Sequence, residues 1–144
     1  MGKRFYLDSN VLIAFVREEM DSSFNLHRID REHFFALCRK QKHEFILPPL
    51  FFTEVRKVIS LERETVLEEF ERLQLKVAVA EKGPSKKLVS EIARKSGIHL
   101  ADATHAAFAC ENQADAIISW NKKDFIKTEM FVKCFTPLEI LDKP

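Results

Sequence analysis

The sequence predicts an α/β fold in which a parallel sheet is covered by layers of helices. Short apolar or β-branched runs alternate along the chain with longer amphipathic segments, and this alternation favours parallel strand pairing. The length of 144 residues corresponds to a single domain, residues 1–144, and the 46% of hydrophobic residues suffice for a substantial core. No internal repeat, low-complexity segment or linker interrupts the pattern.

The first part of the chain is predicted to contain two strands. Arg4–Leu7 is a short apolar run that ends at an acid, and Val11–Arg17 has the composition of a helix. Met20–Ile29 is polar and aperiodic, which indicates an irregular connection. Arg31–Lys42 carries apolar residues at helical spacing, as an amphipathic helix does. Phe45–Leu47 is predicted to be the second strand, because two prolines stop it.

The middle of the chain predicts three helices around a third strand. A helix from Pro49 to about Leu61 begins with the proline that suits a first helical turn. Glu62–Leu73 is a helix of mixed charge, and Leu75–Ala80 alternates and is β-branched, as strands are. A Gly-Pro-Ser break follows, and a helix from Pro84 or Ser85 to Lys95 comes next.

The last part of the chain completes the alternation. Gly97 is predicted to stop a helix, and Leu100–Glu111 is predicted to form the next one. Ala116–Trp120 is a fourth strand. A short strand near Val132–Phe135 and a closing segment at Pro137–Leu141 end the domain. The predicted sheet therefore has four to five strands.

Two acids follow predicted strands, where ligands bind in open parallel sheets. Asp8 ends the first strand, and its alternative role is to cap the helix that follows, although Ser9 and Asn10 are also good caps. Asp124 follows the fourth strand, and capping of a short helix explains it equally well. Asp115, before that strand, is predicted to be a turn residue at the opposite end of the sheet.

Two further acids lie on predicted helices. Glu54 borders an apolar arc, so its carboxylate is expected to be partly desolvated; reaching water or pairing with Arg56 or Lys57 is the alternative. Asp102 lies in the first turn of a helix that is small or apolar nearly all round and is therefore expected to be buried. A cap explains the position of Asp102 but not that expected burial, because buried carboxylates are paired or bind metal.

A divalent cation would reconcile these four acids if the fold brings them together. Like charges at close range force some carboxylates to protonate, and a cation removes that conflict. Ligation by oxygen alone favours Mg²⁺ or Mn²⁺ over zinc. The three cysteines contain no C-x-x-C pair, which argues against a zinc site or a disulfide framework and suits a reducing cytoplasm.

The composition excludes some functions. The net charge of +1 does not suit a protein that holds duplex DNA by charge alone, so a nucleic-acid contact is expected to come from a local patch. The longest apolar run, Val11–Val16, is far shorter than the roughly 20 residues that cross a bilayer. Because Asp8 interrupts the apolar stretch near the N-terminus, a signal peptide is not expected. The chain is predicted to be cytoplasmic, with no membrane partner.

Four motifs in order resemble those of the PIN-domain nucleases. They are LDSNVL, then TEV after a proline-containing turn, then LADATHAA, then SWNKKDF, and the FTPLEIL ending extends the likeness over essentially the whole chain. The resemblance is strongest to the small VapC-type toxins of prokaryotic toxin–antitoxin pairs. It implies a three-layer α/β/α fold with a central parallel sheet, a Mg²⁺ or Mn²⁺ site, and cleavage of single-stranded RNA.

The resemblance also implies roles for individual residues. The four acids of the catalytic site would be Asp8, Glu54, Asp102 and Asp124, of which Asp8, Asp102 and Asp124 would hold metal. Asn10, Ser119 and Asn121 match the polar residues that follow the first acid and the fourth strand. Some members of the family have Asp where this chain has Asn121. The fourth site residue is therefore either Asp124 or Asn121.

The resemblance leaves partners and substrate contacts as expectations. A homodimer and an antitoxin protein that silences the acidic pocket are expected by likeness to the toxins, and the basic residues near the pocket are candidate RNA contacts: Arg56, Lys57, Lys122 and Lys123. Taken singly, each of these four is better explained as part of a solvated, lysine-rich surface. His105, one turn after Asp102, is interpreted as a packed or hydrogen-bonded residue without a catalytic role.

Three alternatives to a toxin ribonuclease remain at this point. A catalytically silent PIN-like module would bind RNA or a protein, and an RNA-processing nuclease would work without an antitoxin. A phosphatase of the haloacid dehalogenase type also begins with an acid at a strand end. That family needs a second Asp two residues later, where this chain has Asn10, which disfavours the phosphatase.

Overall fold

The computed structural model describes residues 2–17 and 33–142. Its strands form one five-stranded sheet in which every pairing is parallel, with the order β3-β2-β1-β4-β5. The strands are β1 (Arg4–Leu7), β2 (Glu44–Leu47), β3 (Lys76–Val79), β4 (Ala116–Ile118) and β5 (Cys134–Phe135). The predicted α/β class with a parallel sheet of four to five strands is confirmed.

Helices connect the strands, as parallel pairing requires. Residues 33–40 form helix α2. The other α-helices in the described part of the chain are α1 (Ser9–Val16), α3 (Pro49–Ile59), α4 (Arg63–Arg72), α5 (Lys86–Ser96), α6 (Leu100–Glu111) and α7 (Pro137–Leu141). Two short 3-10 helices, Lys122–Asp124 and Ile126–Thr128, lie between β4 and β5.

Alternation along the central strand separates two cores. In β1, Phe5 and Leu7 belong to a core with α1, α2, α3, α4 and α7, whereas Tyr6 between them belongs to a core with α5 and α6. Successive side chains of a strand point to opposite faces of the sheet, which places these two helix layers on opposite sides. The chain therefore has the three-layer α/β/α arrangement, and the first core is rich in phenylalanine, with ring pairs such as Phe45 and Phe70.

The predicted elements are confirmed, and the differences lie at their ends. Helix α1 begins at Ser9 rather than Val11, because the Asp8 side chain caps it by accepting from the Asn10 N–H. Helix α5 begins after Ser85, whose hydroxyl accepts from the Leu88 N–H. Gly97 ends that helix with a φ of 68°, as predicted.

Three strands are shorter than predicted, and one of them, β3, lacks a single predicted residue at each end. Strand β4 ends at Ile118, and the segment as far as Trp120 has already left the strand conformation. Strand β5 contains only Cys134–Phe135, because the Val132 N–H donates to the Thr128 carbonyl in a turn rather than to the sheet. Because β4 ends at Ile118, the chain forms the first 3-10 helix a few residues later, at Lys122–Asp124.

Two regions predicted from the sequence are only partly covered. The connection predicted at Met20–Ile29 lies outside the described residues, and the helix predicted at Arg31–Lys42 is confirmed over residues 33–40. The three cysteines are free; Cys38 is buried, and Cys110 is half-buried. None of the described helices combines the length and apolarity needed to cross a membrane.

Candidate active site

The sheet reverses its direction of growth between β1 and β4. From β1 the chain adds β2 and β3 on one side and then returns to place β4 and β5 on the other. In open α/β sheets the crevice beyond the strand ends at such a reversal is the usual ligand site. Leu7 and Ile118, the last residues of β1 and β4, are register partners, so Asp8 and Ser119 emerge side by side at this crevice.

A cleft of about 460 Å³ opens at this point, and all four predicted acids line it. They arrive from four separate places: Asp8 from the end of β1, Glu54 from α3, Asp102 from the first turn of α6, and Asp124 from the 3-10 helix after β4. The other lining residues are Ser9, Asn10, Ile13, Lys57, Val58, His105, Asn121 and Phe125. Asp8 and Asp102 thus share one cleft, as the interpretation of the sequence requires.

A polar network holds Asp8. The buried Ser119 hydroxyl donates to Asp8 Oδ2 at 2.7 Å and accepts from Asn10 Nδ2 at 3.2 Å and from the Asn121 N–H at 3.0 Å. Asn10 Oδ1 in turn accepts from the Trp120 N–H at 3.2 Å. The three polar residues singled out in the sequence therefore form the frame that orients the first acid, and Ser119 lies at its centre.

Glu54 lies half-buried on α3, where the sequence places it at the border of the apolar face. Burial raises the pKa of the Glu54 carboxyl, and Asp8 raises it further, whereas His105 and the Ser9 hydroxyl lower it. Its Oε1 atom is buried and has no hydrogen-bond partner among the described residues. A buried acceptor without a donor is costly, so this oxygen is well suited to bind a cation or a water.

Asp102 is less buried than expected. Ala103 and Ala106 in the body of α6 are buried, but Asp102 is half-buried and Ala101 is exposed, because the first turn of α6 extends to the cleft beyond the sheet. Partial burial raises the pKa of the Asp102 carboxyl, and Asp124 raises it next, while His105 and His99 lower it. The negative charges of Asp102 and Asp124 therefore act on each other across the cleft.

Asp124 and Asn121, the two candidates for the fourth site residue, both lie at the cleft. The 3-10 helix Lys122–Asp124 presents Asp124 to the cleft, and the Asp124 N–H donates to the Asn121 carbonyl at 3.0 Å. Asn121 also lines the cleft. Only Asp124 supplies a carboxylate at this place, whereas Asn121 supplies an amide. Both stay candidates for site residues.

The four basic residues predicted near the pocket have different environments. Lys57 lines the cleft, and Lys123 is exposed. Arg56 forms an ion pair with Glu62 at 3.3 Å, and Lys122 Nζ donates to Glu139 Oε2 at 2.7 Å. The ion pairs tie Arg56 and Lys122 to neighbouring segments, which leaves Lys57 as the cation placed best for a ligand in the cleft.

Among the cleft residues to which the sequence interpretation gave no site role, His105 is the one with an ionisable side chain. It was expected to be hydrogen-bonded, and its Nδ1 is within 2.7 Å of the Tyr6 hydroxyl, but it also lines the cleft. A signal was present in the sequence, since His105 is three residues after Asp102 and residues at that spacing share a helix face.

The cleft offers the donors that a hard divalent cation prefers. Its four carboxylates supply oxygen ligands, the type that Mg²⁺ and Mn²⁺ prefer; they belong to Asp8, Glu54, Asp102 and Asp124. Within residues 2–17 and 33–142, however, no three acidic, histidine or cysteine side chains are already arranged to hold an ion. The residues match such an ion in donor chemistry, and they line one cleft without forming a closed ligand set.

Comparison with known proteins agrees with this geometry. A family model described as the PIN domain matches residues 5–129, a range that contains all four acids. No protein of curated function matches the chain significantly. PIN domains are usually nucleases and generally bind divalent metals. With a match over most of its length and a five-stranded parallel sheet of the expected kind, the chain belongs to the PIN-domain family.

Proposed function

We propose that this protein is a metal-dependent endoribonuclease that hydrolyses phosphodiester bonds in single-stranded RNA. The observation that carries the proposal is the shared cleft, in which four carboxylates from four separate segments meet at the reversal point of the sheet. Packing alone does not call for such a cluster, since each added carboxylate makes the others harder to ionise.

The charge balance of the cleft supports a metal ion. The pKa of Glu54 and the pKa of Asp102 are both raised, in each case by burial first and by a neighbouring carboxylate as well. A divalent ion held by Asp8, Asp102 and Asp124, with Glu54 completing the ligands or orienting a water, would offset that charge. When bound, such an ion activates water and neutralises developing charge on the phosphate.

The chain's own residues prepare this site for a ligand. Ser119 and Asn10 hold Asp8 in one orientation, so its carboxylate loses little freedom when a ligand binds. The oxygen of Glu54 that lacks a donor remains available to an ion or a water. Because no ligating trio is formed beforehand in the described part of the chain, we expect side chains of the cleft to move together on binding.

The charge of the whole chain does not suit a duplex that is held by charge alone. A net charge of +1 provides little attraction for a duplex, and Lys57 is the one lysine or arginine among the residues that line the cleft in the described structure. The preference for RNA over DNA rests on the resemblance of the four sequence motifs to the toxin ribonucleases.

For the biological role we propose the toxin of a toxin–antitoxin pair, acting in the cytoplasm as a homodimer. The support is again the resemblance of the motifs, and each part has its own measurement. Expression that arrests growth unless a neighbouring small gene is co-expressed would support the toxin role over an RNA-processing role. Light scattering would determine whether the protein is a dimer.

The nuclease proposal predicts that the protein cleaves single-stranded RNA with Mn²⁺ or Mg²⁺ and that Asp8→Asn removes this activity. Asn keeps the size of the side chain, can still cap α1 and can still accept from Ser119, so the variant is expected to fold. Cleavage of a panel of labelled RNAs, with and without EDTA, is the measurement. A wild-type protein that binds but never cleaves these RNAs would instead favour a binding module.

Lys57→Gln is expected to raise KM for RNA by about tenfold while changing kcat little. Lys57 lines the cleft, and one lost phosphate contact also reduces the salt dependence of binding by about one unit of slope. The measurement is steady-state cleavage at several salt concentrations.

Lys87→Gln is the matched control for Lys57→Gln. Lys87 lies in the first turn of α5. Just before it, the Ser85 N–H donates to Glu111, which is at the opposite end of α6 from Asp102, so this turn lies away from the cleft. If both variants raised KM equally, the effect would come from overall charge, and Lys57 would not be an RNA contact.

A further inference from the structure

Tyr6 and His105 form a pair between the sheet and the cleft. Tyr6 lies in β1, is fully buried, and has its hydroxyl 2.7 Å from His105 Nδ1. The imidazole packs edge-on against the Tyr6 ring at 5.8 Å and against Phe125 at 6.3 Å between ring centroids. The two ring contacts and the hydrogen bond together restrict the orientation of the His105 ring.

The hydrogen bond determines where the imidazole proton lies. The buried hydroxyl hydrogen of Tyr6 needs an acceptor, and His105 Nδ1 is the partner that the described structure provides. With Nδ1 as the acceptor, the neutral ring carries its proton on Nε2.

The second ring nitrogen remains available in the cleft. His105 lines the cleft, and among the described residues Nε2 has no hydrogen-bond partner. A phosphodiester entering between four carboxylates needs donors for its anionic oxygens, and Lys57 is the one lysine or arginine lining the cleft in the described structure. An oriented N–H at this place is therefore a useful contact for a phosphate.

We propose that His105 donates a hydrogen bond from Nε2 to a phosphate oxygen of the RNA, and that Tyr6 is the positioning residue that orients this donor. The inference rests on the proposed nuclease function and adds a substrate contact to it. The competing role for His105 is to hold the Glu54 or Asp102 carboxylate, since it lies near enough to influence both.

The test compares His105→Ala, His105→Gln and Tyr6→Phe in cleavage of a single-stranded RNA with Mn²⁺. His105→Ala is expected to lower kcat on the order of 10²-fold, the usual cost of one lost donor to the reacting phosphate or oxyanion. His105→Gln, whose amide supplies a donor at a similar distance along the side chain, is expected to recover about tenfold of that loss. The Mn²⁺ concentration that gives half-maximal activity is expected to stay unchanged.

Tyr6→Phe removes only the hydroxyl and tests the positioning role. It is expected to lower kcat by about tenfold in the wild type and to have no further effect in His105→Ala, because residues that act through one contact are not additive. Melting temperatures of all variants identify losses that come from partial unfolding, and kcat is measured at a temperature where every variant is folded.

Several results would overturn the inference. They are an unchanged kcat in His105→Ala, equal activity of the Ala and Gln variants, and an effect of Tyr6→Phe that persists in His105→Ala. A parallel shift in Mn²⁺ requirement would show that His105 holds the carboxylates. In all these cases the wild type still cleaves RNA and the nuclease proposal stands, whereas an inactive wild type would overturn both.

Discussion

Asp102→Asn is expected to give a protein that no longer cleaves RNA and yet is more stable than the wild type when metal is absent. The pKa of Asp102 is raised by burial and then by Asp124, which means that its ionised form is disfavoured in the folded protein. Asn has the same shape without the charge. The loss of one metal ligand is expected to lower cleavage by about 10³-fold or more, since metal stabilisation of the transition state is worth several kcal/mol.

The pH dependence of stability checks the cause of this effect. A carboxyl whose pKa is raised on folding contributes stability below its unfolded pKa of about 3.9, and this contribution is lost as pH rises through the folded pKa. The melting temperatures of wild type and Asp102→Asn in EDTA are therefore expected to agree at the acidic end and to separate toward neutral pH, with the variant higher.

Metal is expected to reverse that order. Mn²⁺ stabilises a folded protein that binds it, and the free energy of unfolding rises with the logarithm of the Mn²⁺ concentration. The melting temperature of the wild type is therefore expected to rise, and that of the variant to rise less. Asp115→Asn is the control, because Asp115 lies at the opposite end of the strands from the cleft, where it accepts from the Arg4 N–H at 2.7 Å. If Asp115→Asn responded to Mn²⁺ as Asp102→Asn does, the cleft would not be the metal site.

Much of the candidate site could be predicted because it depends on the ends of strands. A short apolar run followed by an acid identifies Asp8, and the rule that parallel strands end at a common edge then brings the region after β4 beside it. Asp115 was placed at the opposite edge by the same rule, and its contact with the Arg4 N–H confirms that placement. The resemblance added Glu54, whose own pattern favours a solvated or ion-paired residue.

Other parts of the site depend on contacts that no local pattern contains. The bond between Tyr6 and His105 joins residues 99 positions apart, and it exists because Tyr6 faces the α6 layer while its neighbours in β1 face the other core. The ion pair of Lys122 with Glu139 likewise depends on where α7 packs, so the sequence showed Lys122 only as a basic residue near an acid.

The frame around Asp8 leads to a second large effect. Ser119→Ala is expected to lower both activity and stability, because one buried hydroxyl serves three neighbours: Asp8 Oδ2 as acceptor, and Asn10 Nδ2 and the Asn121 N–H as donors. Removal of the hydroxyl leaves these groups without that partner, and an unsatisfied buried polar group costs about 1–3 kcal/mol. The melting temperature is expected to fall by about 4 °C or more.

Activity is expected to fall by about 10- to 100-fold through Asp8, as is usual when a residue that orients a metal ligand is lost. Ser96→Ala is the matched control, since the Ser96 hydroxyl is buried but has no hydrogen-bond partner in the described structure, and its removal is expected to leave activity and stability nearly unchanged.

The two effects of Ser119→Ala can be separated by measuring cleavage well below the melting temperature over a range of Mn²⁺ concentrations. A variant that needs more Mn²⁺ but reaches the wild-type rate has lost metal affinity through a misoriented Asp8. Equal Mn²⁺ dependence and equal rate would mean that Ser119 stabilises the fold without positioning the acid, and the role given to the network would then be wrong.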